Sequence, residues 1–458
     1  MKDRKYEMDM CSGPILKKML LFTLPLMCSS ILQLLFNAAD IVVVGRFAGD
    51  HSLAAVGATT SLINLLTNLF VGLSIGANVL VARLYGAGHP KEVEKAVHTA
   101  MVMSFYSGIL LTVMGIVGAK QILLWMQTPK EVLPLATLYL RVYFAGMTAT
   151  MIYNFGSSIL RAVGDTRRPL YYLLGAGALN VVLNLFFVIG LHLDVAGVAL
   201  ATVLSQCVSA GLVLRCMMKE QGAVHLSLRN LHIEGDKFLR ILQIGLPAGL
   251  QGIIFALSNV VIQSSINYFG SITVAGNSAA ANLEGFVYFA MNAFYQATMS
   301  FTAQNMGAGK YQRIDRIVVT GQVCVFVTGL VLGNLVVLLG HPLLSIYSST
   351  PAVIDAGMRR LNVISRTYAL CGMMEVMVGV LRGMGYSVLP TLVSLIGACG
   401  LRLLWIATIF QIPSMHNVTV LYLSYPVTWS ITVAVHVICF LIIRRKRWRQ
   451  YNGKEGEE

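Results

Sequence analysis

"ILRAVGDTRRP", residues 159–169, returns as "VLRGMGYSVLP" at 380–390, 221 positions further on. Both copies set Leu-Arg, then Gly, then a closing Pro at the same places. Other anchors recur at an offset of 221 or 222. "GPILKKMLLFTLP" (13–25) matches "GDKFLRILQIGLP" (235–247), which brings Pro25 onto Pro247. "ARLYGAG" (82–88) matches "AQNMGAG" (303–309), and "TP" at 128–129 recurs at 350–351. Several anchors in one order at nearly one spacing mean that one half is written twice.

What is repeated is membrane-spanning. The 458 residues are 56% hydrophobic and 12% charged, with a mean hydropathy of +0.71. Soluble globular chains carry about 25% charged residues. Apolar runs bounded by charged or turn residues predict twelve spans, at 17–44, 53–81, 96–118, 133–158, 169–190, 195–214, 238–266, 273–303, 317–340, 355–380, 388–412 and 418–443. The expected fold is all-α and polytopic, with two six-helix bundles related by a pseudo-twofold axis along the membrane normal. The expected domains are 1–220, a cytoplasmic linker at 221–237, and 238–458 with a basic tail. The stretch 215–240 reads as the one long exposed polar segment. Secondary transporters commonly rock one such bundle against the other around a central site.

The net charge of +14 reports topology rather than an acidic partner, and no nucleic acid is expected. Most Lys and Arg gather at the two ends and in every second loop, including Lys2, Arg4, Lys5, Lys17, Lys18 and "RRKRWRQYNGK" (444–454). This positive-inside bias places both termini and the even-numbered loops in the cytoplasm of a multi-pass protein of the cell membrane. The first apolar run is too long for a signal-peptide core and reads as a retained span. The eight cysteines form no C-x-x-C pair and read as packing residues rather than disulfides or metal ligands.

An ionised carboxylate inside hydrocarbon is costly, so one that is kept there is a functional candidate. Asp40, Glu284 and Glu375 fall inside predicted spans. At 1.5 Å per residue, Asp40 lies about 7 Å below the outer surface, Asn184 about 9 Å, Asn180 about 15 Å and Thr202 about 11 Å. Asn180 and Asn184 are four apart and share a helix face. This set could hold a proton on Asp40, or sodium among carbonyl, hydroxyl and carboxylate oxygens; no other cofactor or metal is expected. Asp40 could instead pair with Arg46 and anchor the span. Shifted by the repeat, Asp40 lands on Val261 or Ile262, and Asn180 and Asn184 on Leu401 and Trp405, whereas Asn154 lands on Glu375. The halves therefore differ in interior chemistry. Asn154, Glu284, Glu375 and Arg402 are candidates for a substrate cavity, with Arg366 or Arg402 a possible partner for Glu375 and a buried hydrogen bond the plain reading of Glu284. Pro25 removes a helical donor and is either a static bend or a hinge.

With "FNAADIVVVGRFAG" (36–49), "ARLYGAG", "LRAVGDTRRP", "LNVVLN" (179–184), "LATVLSQ" (200–206), "NMGAGK" (305–310) and "LRGMGYSVLP" in this order, the chain resembles the multidrug and toxic compound extrusion family across both halves. The resemblance implies a V-shaped pair of six-helix bundles that exports amphipathic, often cationic, compounds by proton or sodium antiport. It places the family's span 1 acid on Asp40, its span 1 proline on Pro25 and its span 6 hydroxyl on Thr202. The family's span 5 Asn-x-x-x-Asp matches Asn180 but finds Asn184 where the acid would stand. A lone acid weakens a sodium site and makes a proton on Asp40 the simpler coupling species. Residues 248–266 hold no carboxylate, so a span 7 acid has no counterpart.

The expected function is export of small amphipathic molecules, cationic because the interior offers three acids and few arginines, by a monomer embedded in the lipid bilayer. A lipid-linked saccharide flippase of the same superfamily shares the architecture and would favour a strongly cationic cavity. A membrane-embedded enzyme is disfavoured, since no H-E-x-x-H or paired-aspartate motif is present. The major facilitator class is disfavoured too, because "RLYGAGHPKEVEK" (83–95) lacks its basic signature.

Overall fold

The computed structural model describes residues 6–455. Lys2, Arg4 and Lys5 of the N-terminal basic cluster, and residues 456–458, lie outside the described residues. Among those described, all regular structure is helical: α1 (Ile15–Phe47), α2 (Asp50–Gly86), α3 (Pro90–Trp125), α4 (Leu133–Ala145), α5 (Met147–Ala162), α6 (Arg167–Leu185), α7 (Asp194–Lys219), α8 (Gly235–Asn267), α9 (Ser271–Gly307), α10 (Tyr311–Leu338), α11 (Gly340–Ser345), α12 (Pro351–Val363), α13 (Ala369–Gly383), α14 (Val388–Ser394), α15 (Leu401–Ala407) and α16 (Val418–Glu455). Among the described residues, nine helical stretches are long and apolar enough to cross a bilayer. Two further spans are bent pairs, α4 with α5 at 47° and Pro351–Thr367 with α13 at 44°. The 37-residue α9 completes the twelve; its Asn, Gln, Ser and Thr content keeps it below the apolar threshold. The protein is a multi-pass membrane protein.

The two bends fall within the spans read at 133–158 and 355–380. In the first, the backbone leaves the helix at Gly146 (φ −90°, ψ 2°). In the second, a 3-10 turn, Ser365–Thr367, interrupts the helix. Hydropathy averages across such a turn and does not register it. Apolar side chains face outward throughout, with Val117 75%, Leu338 80% and Ile442 63% exposed. A water-facing surface rarely carries so continuous an apolar cover, whereas lipid demands it.

The chain divides into two compact units. The first joins Met1–Asp9 to Leu24–Leu250, and the second joins Met10–Thr23 to Gln251–Glu458. The first unit's core gathers Val44, Leu111, Leu140, Phe144, Met147 and Val198. The second holds one cluster around Ile262, Tyr422, Tyr425 and Trp429 and another around Ile314, Val380 and Phe440. Local geometry repeats with the sequence. Gly49 (φ 85°) opens α2 as Gly270 (φ 89°) opens α9, a left-handed backbone that suits glycine. Gly164 (φ 94°) and Gly385 (φ 93°) close the two copies of the opening motif.

The stretch 215–240 is not simply exposed. Val224 and Leu226 are buried, the Leu226 amide donates to the Met217 carbonyl at 3.1 Å, and α8 begins at Gly235. Asp165 and Glu220 are buried as well. Asp165 accepts the Arg167 and Arg168 amides at 3.1 Å each, capping α6, and Arg168 bonds both carboxylates.

Candidate functional site

In the first unit α1 and α6 meet where Gly177 faces the ring of Phe36. A Cβ at Gly177 would lie 1.9 Å from the Phe36 ring, so only glycine lets the helices close here. Asp40 stands one turn along α1 from Phe36, and Asn180 and Asn184 stand one and two turns along α6 from Gly177, all on the contacting faces. The close approach therefore sets the carboxylate against the amides. Asn184 Nδ2 donates to Asp40 Oδ1 and to Asn180 Oδ1 at 3.2 Å. Asn180 Nδ2 donates to Thr202 Oγ1 at 3.4 Å, and that hydroxyl donates to the Val198 carbonyl at 3.1 Å. All four residues placed together by depth in the sequence join one hydrogen-bonded chain. Arg46 forms no ion pair with Asp40 among the described residues.

Asn184 Oδ1 is buried without a partner among the described residues. Immediately beyond Asn184 the helix widens into a π turn, Phe186–Gly190, a feature that often marks functional sites. Tyr139 and Tyr143 of α4, stacked at 5.9 Å, lie close enough to feel the Asp40 charge. Sequence reasoning missed them, although their spacing of four on an apolar helix was a usable signal. Pro25 lies within α1, which continues through it, and the Pro25 carbonyl accepts from Ser29 Oγ at 2.9 Å. Asn154 sits half-buried on α5 and takes no part in the Asp40 chain.

Gly177→Ala tests this placement. The added methyl must push α1 off α6, an overpacking worth about 1–3 kcal/mol, and lengthen the Asp40–Asn184 contact. Export should fall at unchanged expression, and adding Phe36→Leu should restore part of it. Unchanged export in Gly177→Ala would contradict the placement.

The second unit holds a half-open cavity of about 430 Å³ lined by residues of α8, α9, α12, α13, α15 and α16. Three of the sequence candidates, Glu284, Glu375 and Arg402, line it. Glu284 is buried in a bidentate pair with Arg360, at 3.2 Å from Nε to each oxygen and 2.7 Å from Nη2. Arg360 Nη1 donates to Asn277 Oδ1 at 2.7 Å, which also accepts from Tyr422 at 3.2 Å. Glu375 is half-buried and pairs with neither Arg366 nor Arg402, so the partners suggested by the sequence are not its partners. Arg382, seven residues along α13, acts electrostatically on it. Arg382 itself donates to Tyr295 and Gln251, each at 2.8 Å.

Arg402 follows a second π turn, Leu395–Gly400. A Cβ at Gly397 would lie 2.2 Å from Thr432 Oγ1, so glycine lets this turn press against α16. That contact brings Arg402 over the Tyr425 ring at 3.9 Å and its Nη2 to Thr428 Oγ1 at 3.2 Å. The interior balance is thus not three acids against few arginines. One acid is neutralised, and Arg382 and Arg402, both 4% exposed, form no ion pair with a carboxylate among the described residues.

The MatE family model matches residues 25–186 and again 247–407, once in each half. The probable multidrug resistance protein YoeA of Bacillus subtilis is 24% identical over 91% of both chains. The multidrug export protein MepA of Staphylococcus aureus is 22% identical over 92% of this chain and 91% of its own length. Among solved structures, the outward-facing form of a multidrug resistance MATE family transporter of the MOP superfamily superposes with a TM-score of 0.89 at 21% identity, covering 95% of this chain and 97% of that one. The chain belongs to the MatE family, a family of membrane transporters rather than enzymes.

Proposed function

We propose that this protein exports small amphipathic molecules across the plasma membrane in exchange for protons, which load and leave at Asp40. The observation that carries this reading is the Asp40–Asn184–Asn180–Thr202 chain. Its polarity favours a proton over sodium. Asn184 turns a donor toward the carboxylate, and the Asn180 and Thr202 oxygens already accept hydrogen bonds within the chain. A sodium ion needs those oxygens for itself. Protonation of Asp40 turns an acceptor into a donor. Rotating the Asn184 amide then offers its unpartnered Oδ1 to the new O–H, so one side chain serves both states. The names of YoeA and MepA support drug-like cargo. Cargo with a cationic centre remains the proposed preference, resting on Asp40 and on Glu375, which accepts no hydrogen bond among the described residues.

The test is cargo efflux from proteoliposomes under an imposed pH gradient, with and without sodium. Efflux driven by the pH gradient in sodium-free buffer is expected; efflux that needs a sodium gradient contradicts the reading.

The proposed orientation has both termini in the cytoplasm. In a cysteine-free background, Gln221→Cys should resist an impermeant maleimide added to intact cells and react after permeabilisation. Labelling from outside would invert the topology.

A further inference from the structure

Glu284 and Arg360 neutralise each other in the wall of the second unit's cavity, and two further charged residues of that wall, Arg402 and Glu375, form no ion pair among the described residues. Arg402 is 4% exposed, has no carboxylate partner among the described residues, and keeps a buried Nε without an acceptor. Its guanidinium plane is fixed by the Tyr425 ring at 3.9 Å and by Thr428. Glu375 accepts no hydrogen bond among the described residues. The same cavity has an aromatic wall, in which Trp429 contacts Tyr368 and Tyr425 with ring centroids at 5.6 and 5.5 Å.

A buried guanidinium without a counter-charge is costly and calls for an anion; a carboxylate in the same cavity calls for a cation. A simple cation would meet Arg402 unpaired, and a simple anion would meet Glu375. Each mismatch is a built-in penalty. The volume of about 430 Å³ lies in the range of drug-sized sites. We propose that this cavity binds a small aromatic zwitterion, its anionic group on Arg402, its cationic group on Glu375 and its ring against Tyr425 and Trp429. This names a substrate class for the exporter and rests on that reading for the ligand's fate, though not for its binding.

The test uses the purified full-length protein, with no gradient, and dansyl emission excited through tryptophan. The probes are Nα-dansyl-lysine, a zwitterion with separated charges, its cationic methyl ester, and anionic Nα-dansyl-norleucine. The zwitterion should bind roughly tenfold tighter than either analogue, the scale of one hydrogen-bonded charge pair. Arg402→Gln should erase its advantage over the ester, and Glu375→Gln its advantage over the norleucine compound. An ester that binds the wild type as tightly as the zwitterion overturns the proposal, as does the absence of saturable binding by any probe. The wild-type ranking needs no variant to fold. Asp40→Asn should lose coupled efflux and keep the ranking, so failure of proton coupling and failure of this site give different results.

Discussion

Asp40→Asn should abolish accumulation against a gradient while leaving the protein folded and inserted. The substitution nearly preserves volume and retains a hydrogen-bonding group for Asn184, but the amide neither takes up nor releases a proton. One pH unit supplies about 1.4 kcal/mol per proton, enough for about tenfold cargo accumulation in one-to-one exchange. Wild-type vesicles should approach that ratio and Asp40→Asn vesicles should show none. Monodisperse elution of the variant separates lost coupling from lost folding. Wild-type accumulation by Asp40→Asn would make Asp40 an interfacial anchor.

The largest stability effect should come from Arg360→Ala. It strips the bidentate partner from a 3%-exposed Glu284 carboxylate and removes the guanidinium near Tyr422 and Tyr425. Leaving one member of a buried pair alone costs about 3–5 kcal/mol, which in a chain of this size should lower Tm by about 3–5 °C. Glu284→Leu combined with Arg360→Met should recover most of the loss, because an apolar pair of similar volume avoids the stranded charge. Thermal unfolding in detergent reads both. A double variant that falls as far as the single one would show that the pair stabilises beyond mutual neutralisation.

Much of this was legible from the residues. The repeat anchors predicted paired features that recur in the backbone, such as Gly164 with Gly385. Counting residues from span ends put Asp40, Asn180, Asn184 and Thr202 at similar depth, and the hydrogen bonds join all four. Depth works because a helix rises uniformly and the bilayer fixes its ends. Pairing across helices is set by rotation about each axis, which depth does not encode. Glu284 therefore found Arg360, 76 residues away, while Glu375 paired with neither arginine suggested for it. Gly146 offered a readable break in the span at 133–158, but "SRT" at 365–367 carries no such mark. The neighbours of Arg402 had a signal that went unused: Tyr425, Thr428 and Trp429 are spaced three and one apart and share one face of α16.

The most direct measurement of the central claim records cargo and protons together. Proteoliposomes carrying a lumenal pH dye, in sodium-free buffer, should show proton movement opposite to cargo in the wild type. In Asp40→Asn, any cargo exchange should proceed with no accompanying pH change. Cargo efflux without proton movement in the wild type, or proton movement persisting in Asp40→Asn, would contradict the assignment of the coupling proton to Asp40.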